Sequence, residues 1–227
     1  MNRAVGFSTG SLAPGHCGQA LEILRTVNVQ AVEISALRVS ELREALQALD
    51  EIDLTRFQYV SFHAPSKFHG LHEKEIREAL SLVVEKQFPI ILHPDAISDW
   101  GIWRELGPLA VIENMDGRKP DGRTVEELLP VFERLPEARF CFDTGHAWQI
   151  DPTMTLTQEL LLAFADRLCE FHVSTVNDQF SHEPLQVASI KVFAPWLKRF
   201  PDVPIILETP VGNAEMIGQL QLVREWC

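Results

Sequence analysis

The 227-residue sequence predicts an α/β protein folded as a single (β/α)8 TIM barrel over residues 1–227. Three observations predict it. Eight short runs rich in Val, Ile and Phe alternate with amphipathic helical segments from end to end. The centres of those runs recur every ~28 residues, a length suited to one strand plus one helix. No Gly-rich G-x-G-x-x-G follows the first run, where an open dinucleotide-binding sheet would carry it.

"AVGFS" (4–8) precedes a helical pattern over 16–27, and "AVEIS" (31–35) one over 40–50 that opens on "SELREAL" with Ser40 as its cap. "YVSFH" (59–63) leads into "SKFHGLH" (66–72), a solvated loop or a lid pivoting on Gly70, and then a helix over 72–87. "PIILH" (89–93) is followed by a short helix near 98–106, and "AVIEN" (110–114) by 124–134, capped by Thr124. "RFCFD" (139–143) meets a Thr-Gly turn and then a helix over 157–167 capped by Thr157. "CEFHV" (169–173) precedes 187–199, and "VPIILE" (203–208) precedes 213–225. Runs apolar at successive positions are strands buried on both faces.

Composition bounds the function. The chain is 46% hydrophobic and carries a net charge of −12 with no block of Lys or Arg, so the balance weighs against nucleic acid as a partner. No apolar run approaches the roughly 20 residues of a membrane span, and the start "MNRAVGFSTG" lacks a signal-peptide pattern. Four separated cysteines (Cys17, Cys141, Cys169, Cys227) without a C-x-x-C read as reduced thiols of a cytoplasmic protein. Oligomeric state is open; Trp196 and Trp226 sit on the outer faces of the last helices.

The strand ends carry the chemistry. The third run ends in His63, the fourth in His93, the fifth in Glu113 and the sixth in Asp143; the seventh carries His172 and the eighth ends in Glu208. His146 and His182 follow on the next loops. In a parallel barrel all strand C-termini open at one mouth, where active sites of this fold lie. One such residue is an ordinary cap or packed histidine. Eight converging ones repel each other and are costly to desolvate without a cation. Imidazole with carboxylate suits Zn2+, Mn2+, Co2+ or Fe2+, and no thiol is expected beside the set. Glu33 shares strand parity with Ala31 and Ser35 and faces the interior as a substrate contact or a support for a ligand. Parity also places Arg139 and Glu170 as a buried pair beneath the metal. Trp148 either lines the mouth and stacks on a sugar or packs in the barrel wall, whereas His16, His69 and His72 read as solvated.

The motifs "FHAPS", "LHPD", "IENMD", "FDTGH", "FHV" with "SHEPL", and "ILETP", in that order, resemble the xylose isomerase-like barrels over essentially the whole chain. That group includes sugar isomerases and epimerases and the endonuclease IV type of abasic-site nuclease. The resemblance implies a shared metal held by Glu113, Asp143, His172 and Glu208. In the nuclease branch it implies a second zinc on His63 and His93, bridged by Glu113. A third would use His146, His182 and an aspartate two residues before the latter. Here that position is Phe180, so the third site lacks a ligand.

The expected function is therefore a divalent-metal-dependent isomerase or epimerase of a sugar or sugar phosphate, acting through an enediolate, with Zn2+ or Mn2+ (or Co2+) and no organic cofactor. Glu113 and Glu208 serve as acid and base, and His146 as a substrate contact or proton shuttle. His63, His93 and His182 would line the substrate pocket. The alternatives are an endonuclease IV-like zinc phosphodiesterase and a non-catalytic binding protein.

Overall fold

The computed structural model describes residues 3–68 and 73–227. Eight parallel strands close into a barrel: β1 (Val5–Ser8), β2 (Ala31–Ser35), β3 (Tyr59–His63), β4 (Ile90–Leu92), β5 (Ala110–Glu113), β6 (Arg139–Asp143), β7 (Leu168–Val173) and, last in the chain, β10 (Ile205–Leu207), which closes the ring between β7 and β1. A separate two-stranded antiparallel hairpin, β8 (Thr175–Val176) and β9 (His182–Glu183), stands after β7.

Strand alternation divides these residues into two shells. Phe62, Phe140, Phe142 and Phe171 turn outward and are fully buried under the helices, where Phe140 packs on Phe132 and Phe164. The interior positions are mostly polar: Glu33, Ser61, Glu170 and His172 are all 0% exposed. An irregularity between Phe140 and Cys141 shifts the β6–β7 register so that Cys141 lies beside Glu170 and Asp143 beside His172. That shift aligns two site residues on neighbouring strands.

β1 and β2 approach closely at Gly6. A Cβ there would lie 1.6 Å from the carbonyl oxygen of Ala31, so only glycine fits.

Helices follow the strands as the periodicity requires: Cys17–Leu24, Val39–Glu51, Glu73–Ala79 with Ser81–Glu85, Trp100–Arg104, Val125–Arg134, Thr155–Phe164, Val187–Leu197 and Asn213–Trp226. Thr124 caps its helix, accepting from the Glu127 amide. Ser40 and Thr157 do not cap theirs. The helix entered near Ser40 starts one residue earlier, with Arg38 as N-cap and its amide bonded to Glu41, and Met154 precedes the other in a left-handed conformation. The Thr-Gly segment after β6 is not a turn but the start of a helix, Thr144–Ile150. A further short helix, Thr9–Leu12, follows β1.

The stretch 66–72 runs partly outside the described residues, which end at 68 and resume at 73; Gly70, His69 and His72 fall outside them. Trp196 and Trp226 are half-buried, with Arg199 and Lys191 over their rings. Among the described residues no helix is long and apolar enough to cross a membrane.

Candidate metal centre

The strand ends place Glu113, Asp143, His172 and Glu208 so that one ligand atom from each lies within 4.8 Å of the others. His63, His93 and Glu113 form a second such group, joined to the first through Glu113.

Glu113 is the hinge of the site, 1% exposed at the end of β5. Its Oε1 receives Nδ1 of His172 at 3.1 Å; its Oε2 lies 3.0 Å from His93 Nε2 and 3.4 Å from His63 Nε2. Neither of the latter is aligned as a hydrogen bond, and Oε2 has no hydrogen-bond partner. Burial disfavours its charge, yet His172, His63 and His93 together hold the carboxyl well below the usual range.

Asp143, fully buried, caps the Thr144–Ile150 helix by accepting the His146 amide at 2.7 Å through Oδ1, while Oδ2 has no partner. Asn114 clamps the same strand end. Its side chain donates to the Asp143 carbonyl at 3.0 Å and accepts the Asp143 amide at 2.8 Å.

Glu208 lies at the C-terminal end of β10, its side chain 12% exposed, with Oε1 3.7 Å from His172 Nδ1 and Oε2 3.7 Å from His182 Nδ1. Burial, together with Glu113, Asp143 and Glu33, outweighs the pull of His172 and pushes its carboxyl up to about 8.

His172 is supported from below. Its Nε2 lies 3.0 Å from Glu33 Oε2 and 2.9 Å from Glu170 Oε1. Glu170 is in turn fixed by Tyr59 Oη at 2.5 Å and Ser61 Oγ at 3.2 Å. The expected Arg139–Glu170 pair does not form. Arg139 is the first residue of β6, at the far end of the barrel, where its Nε donates to the Pro108 carbonyl at 2.7 Å and avoids burial of its charge. Nor is the set free of thiols: Cys141, two residues before Asp143 and so on the same face of β6, groups with Glu170 and His172.

The remaining histidines line the mouth. His63 Nδ1 donates to the Ala64 carbonyl at 2.8 Å, and His146 Nδ1 to the Asn114 carbonyl at 2.9 Å. His182, where the hairpin's turn meets its second strand, pairs with Ser174 Oγ at 2.7 Å, and burial pushes its imidazole down to about 4. Phe180 lines the mouth in the left-handed region, φ 59°, with the Arg118 guanidinium 5.3 Å over its ring.

Trp148 is not part of this lining. It lies on the outward side of the Thr144–Ile150 helix, edge-on to Phe193 at 5.8 Å, because a helix rather than a turn carries it away from the mouth. Asp116, Asp95 and Lys119 were not singled out by strand-end reasoning. Asp116 is 2% exposed, 3.9 Å from His146 Nε2 and paired with Arg118. The only signal for it is the last letter of "IENMD".

A divalent cation fits this donor set. Two buried carboxylate oxygens, Glu113 Oε2 and Asp143 Oδ2, have no hydrogen-bond partner among the described residues, and the like charges of Glu113, Asp143, Glu208 and Glu33 crowd one point. Adding a chelator to cation-loaded protein is expected to lower the melting temperature by about 5–10 °C, read by calorimetry. That is the loss of about 2.7 kcal/mol of binding at a hundredfold excess over Kd, at ~2–4 °C per kcal/mol for a domain of this size. Glu170→Gln is expected to weaken cation affinity about 10–100-fold in competition with a chromophoric chelator, because the support that orients His172 is lost.

Comparisons place the chain among known proteins. A family model described as "Xylose isomerase-like TIM barrel" matches residues 33–226. Among solved structures the chain is similar to endonuclease IV from Thermus thermophilus, with a TM-score of 0.65 and 22% identity over 98% of each chain. It is also similar to a 3-keto-D-glucoside 4-epimerase from E. coli (TM-score 0.65, 14% identity, 98% of this chain and 99% of that one). A D-psicose 3-epimerase, solved in the presence of D-fructose, follows at TM-score 0.58 and 13% identity, covering 90% of this chain and 84% of that one. At these identities the likeness is one of fold. No curated protein matches the chain.

Proposed function

The chain belongs to the xylose isomerase-like TIM barrel family, and from that premise we propose that it is a divalent-metal-dependent sugar isomerase or epimerase. The observation that carries the reading is the pair Glu113 and Glu208. Both present an oxygen to His172 Nδ1, at 3.1 and 3.7 Å, from strands on different sides of the mouth. A cavity of about 670 Å³, lined by both glutamates, His63, His93, His146 and His182, is of the size that takes a small molecule.

A cation held by Glu113, Asp143, His172 and Glu208 would supply positive charge against which substrate oxygens bear the developing enediolate charge. The chain's own residues do the rest. One glutamate removes the proton from the carbon beside the carbonyl, and the other returns one from its own side, a division typically worth ~10²–10⁴ in rate. His146, its Nδ1 held by the Asn114 carbonyl, directs Nε2 at a substrate oxygen. His182 lies beside Glu208 at the rim.

A second reading, endonuclease IV-like phosphodiester hydrolysis, is favoured by the His63–His93–Glu113 group. It needs more than one cation, and Phe180 occupies the place of a carboxylate that the third would need.

The test is a panel of free and phosphorylated aldoses and ketoses in D2O with Mn-, Co- or Zn-loaded protein, followed by NMR. Deuterium entering at a carbon beside the carbonyl is the expected result. Cleavage of a duplex containing an abasic site, without exchange into any sugar, would overturn it.

A further inference from the structure

We propose that Lys119 holds His93 in the tautomer that cannot ligate a cation, so that the mouth takes one metal ion rather than two. The inference rests on the metal-centre reading above and concerns how many ions that centre admits.

What each histidine's far nitrogen meets decides which nitrogen can face a cation. His63 Nδ1 faces the Ala64 carbonyl and His146 Nδ1 the Asn114 carbonyl. A carbonyl only accepts, so in both rings Nδ1 carries a proton and Nε2 is the nitrogen left to face a cation at the mouth. His172 is the mirror case: Nε2 meets Glu33 and Glu170, leaving Nδ1 for the Glu113 side. An imidazole that binds a cation needs such an acceptor behind it.

His93 has a donor there instead. Lys119 Nζ lies 3.2 Å from His93 Nδ1. An ammonium has three donors and no acceptor, so Nδ1 presents its lone pair to the lysine and the ring proton sits on Nε2. That is the nitrogen 3.0 Å from Glu113 Oε2, where a second cation would have to bind. The position suits a ligand, since His63, His93 and Glu113 lie within ligating reach of one another, but the lone pair is on the wrong atom. To ligate, His93 would have to give up its one ring proton and become an imidazolate, or move that proton to Nδ1 and turn an N–H against the ammonium. The lysine charge also repels a cation at this range.

Lys119 is not free to swing aside. Its Nζ is bonded to both oxygens of Asp95, at 2.9 and 2.8 Å, and the two side chains are only 13% and 10% exposed. Asp95 makes the arrangement reversible by substitution. Its Oδ1 lies 4.0 Å from His93 Nδ1, so with the lysine gone a small shift gives His93 the acceptor it lacks.

Zinc per chain is counted by elemental mass spectrometry after equilibrium dialysis at fixed free Zn2+. About one ion is expected in the wild-type chain and about two in Lys119→Met, the second lost again when His93→Ala is added. Lys119→Leu serves if the first variant does not fold, and Lys119→Arg, which keeps a donor, should return the count to one. Two ions in the wild type, with one lost in His93→Ala, would overturn the proposal. So would a folded Lys119→Met and Lys119→Leu that both stay at one. No zinc in any variant removes the proposal together with the metal centre, whereas failure of sugar exchange alone leaves the count, and this proposal, standing.

Discussion

Replacing Glu208 with glutamine is expected to slow deuterium exchange into substrate by ~10²–10⁴-fold or more, because one of the two proton-transferring groups is lost along with a cation ligand. The same change should make the cation-free protein more stable at alkaline pH. The Glu208 carboxyl is pushed from 4.5 up to about 8 by burial and its carboxylate neighbours, so the folded state holds a proton that the unfolded chain releases. Stability linked to that proton is full below pH 4.5 and is lost as pH rises through about 8. Glutamine is neutral throughout. In chelator, Glu208→Gln should therefore melt above wild type at pH 9, the gap closing as the buffer is taken down to pH 4. A variant equally active, or less stable at pH 9, would contradict the crowding of charge at this point.

Gly6→Ala is expected to leave little folded protein. The new Cβ would sit 1.6 Å from the Ala31 oxygen and 2.3 Å from its carbonyl carbon, both backbone atoms that no rotamer change can move. β1 also pairs with β10 to close the ring, so a shift that relieved one seam would open the other. The cost is on the order of 4–5 kcal/mol, against a total stability of ~5–15 kcal/mol. Soluble yield and thermal melting by circular dichroism read it. Gly18→Ala is the control: it lies in the Cys17–Leu24 helix with nothing within 4 Å of the new methyl, and should be neutral or stabilising by ~0.5–1 kcal/mol. A wild-type melt for Gly6→Ala would show that the seam can part.

The strands were legible because each is apolar on successive positions; "AVEIS", "YVSFH" and "RFCFD" coincide with β2, β3 and β6 end to end. The strand-end histidines and carboxylates were legible for the same reason: once a parallel barrel is inferred, every C-terminal residue has an address. Period-two parity also brought Glu33 to the interior, where it meets His172. What failed lay beyond the strands. A glycine at the second position of a helix reads as a turn, which left Trp148 open between the mouth and the wall; it packs on Phe193. Parity put Arg139 inward but could not say that its long side chain bends to a carbonyl at the barrel's edge. Asn114, Asp116 and Lys119 act through loop geometry and hydrogen-bond direction, which carry no period in the sequence.

The partners behind the histidines differ in how they could be inherited. Those of His63 and His146 are backbone carbonyls, supplied by the fold whatever residue stands there. The partner of His93 is a side chain, alterable by a single substitution in a loop. Ligand capacity at the first two positions thus descends with the architecture, while at the third it can be gained or forfeited without disturbing a strand. A lineage built on this frame could cross between mononuclear and dinuclear chemistry in one substitution, before any ligand residue changed.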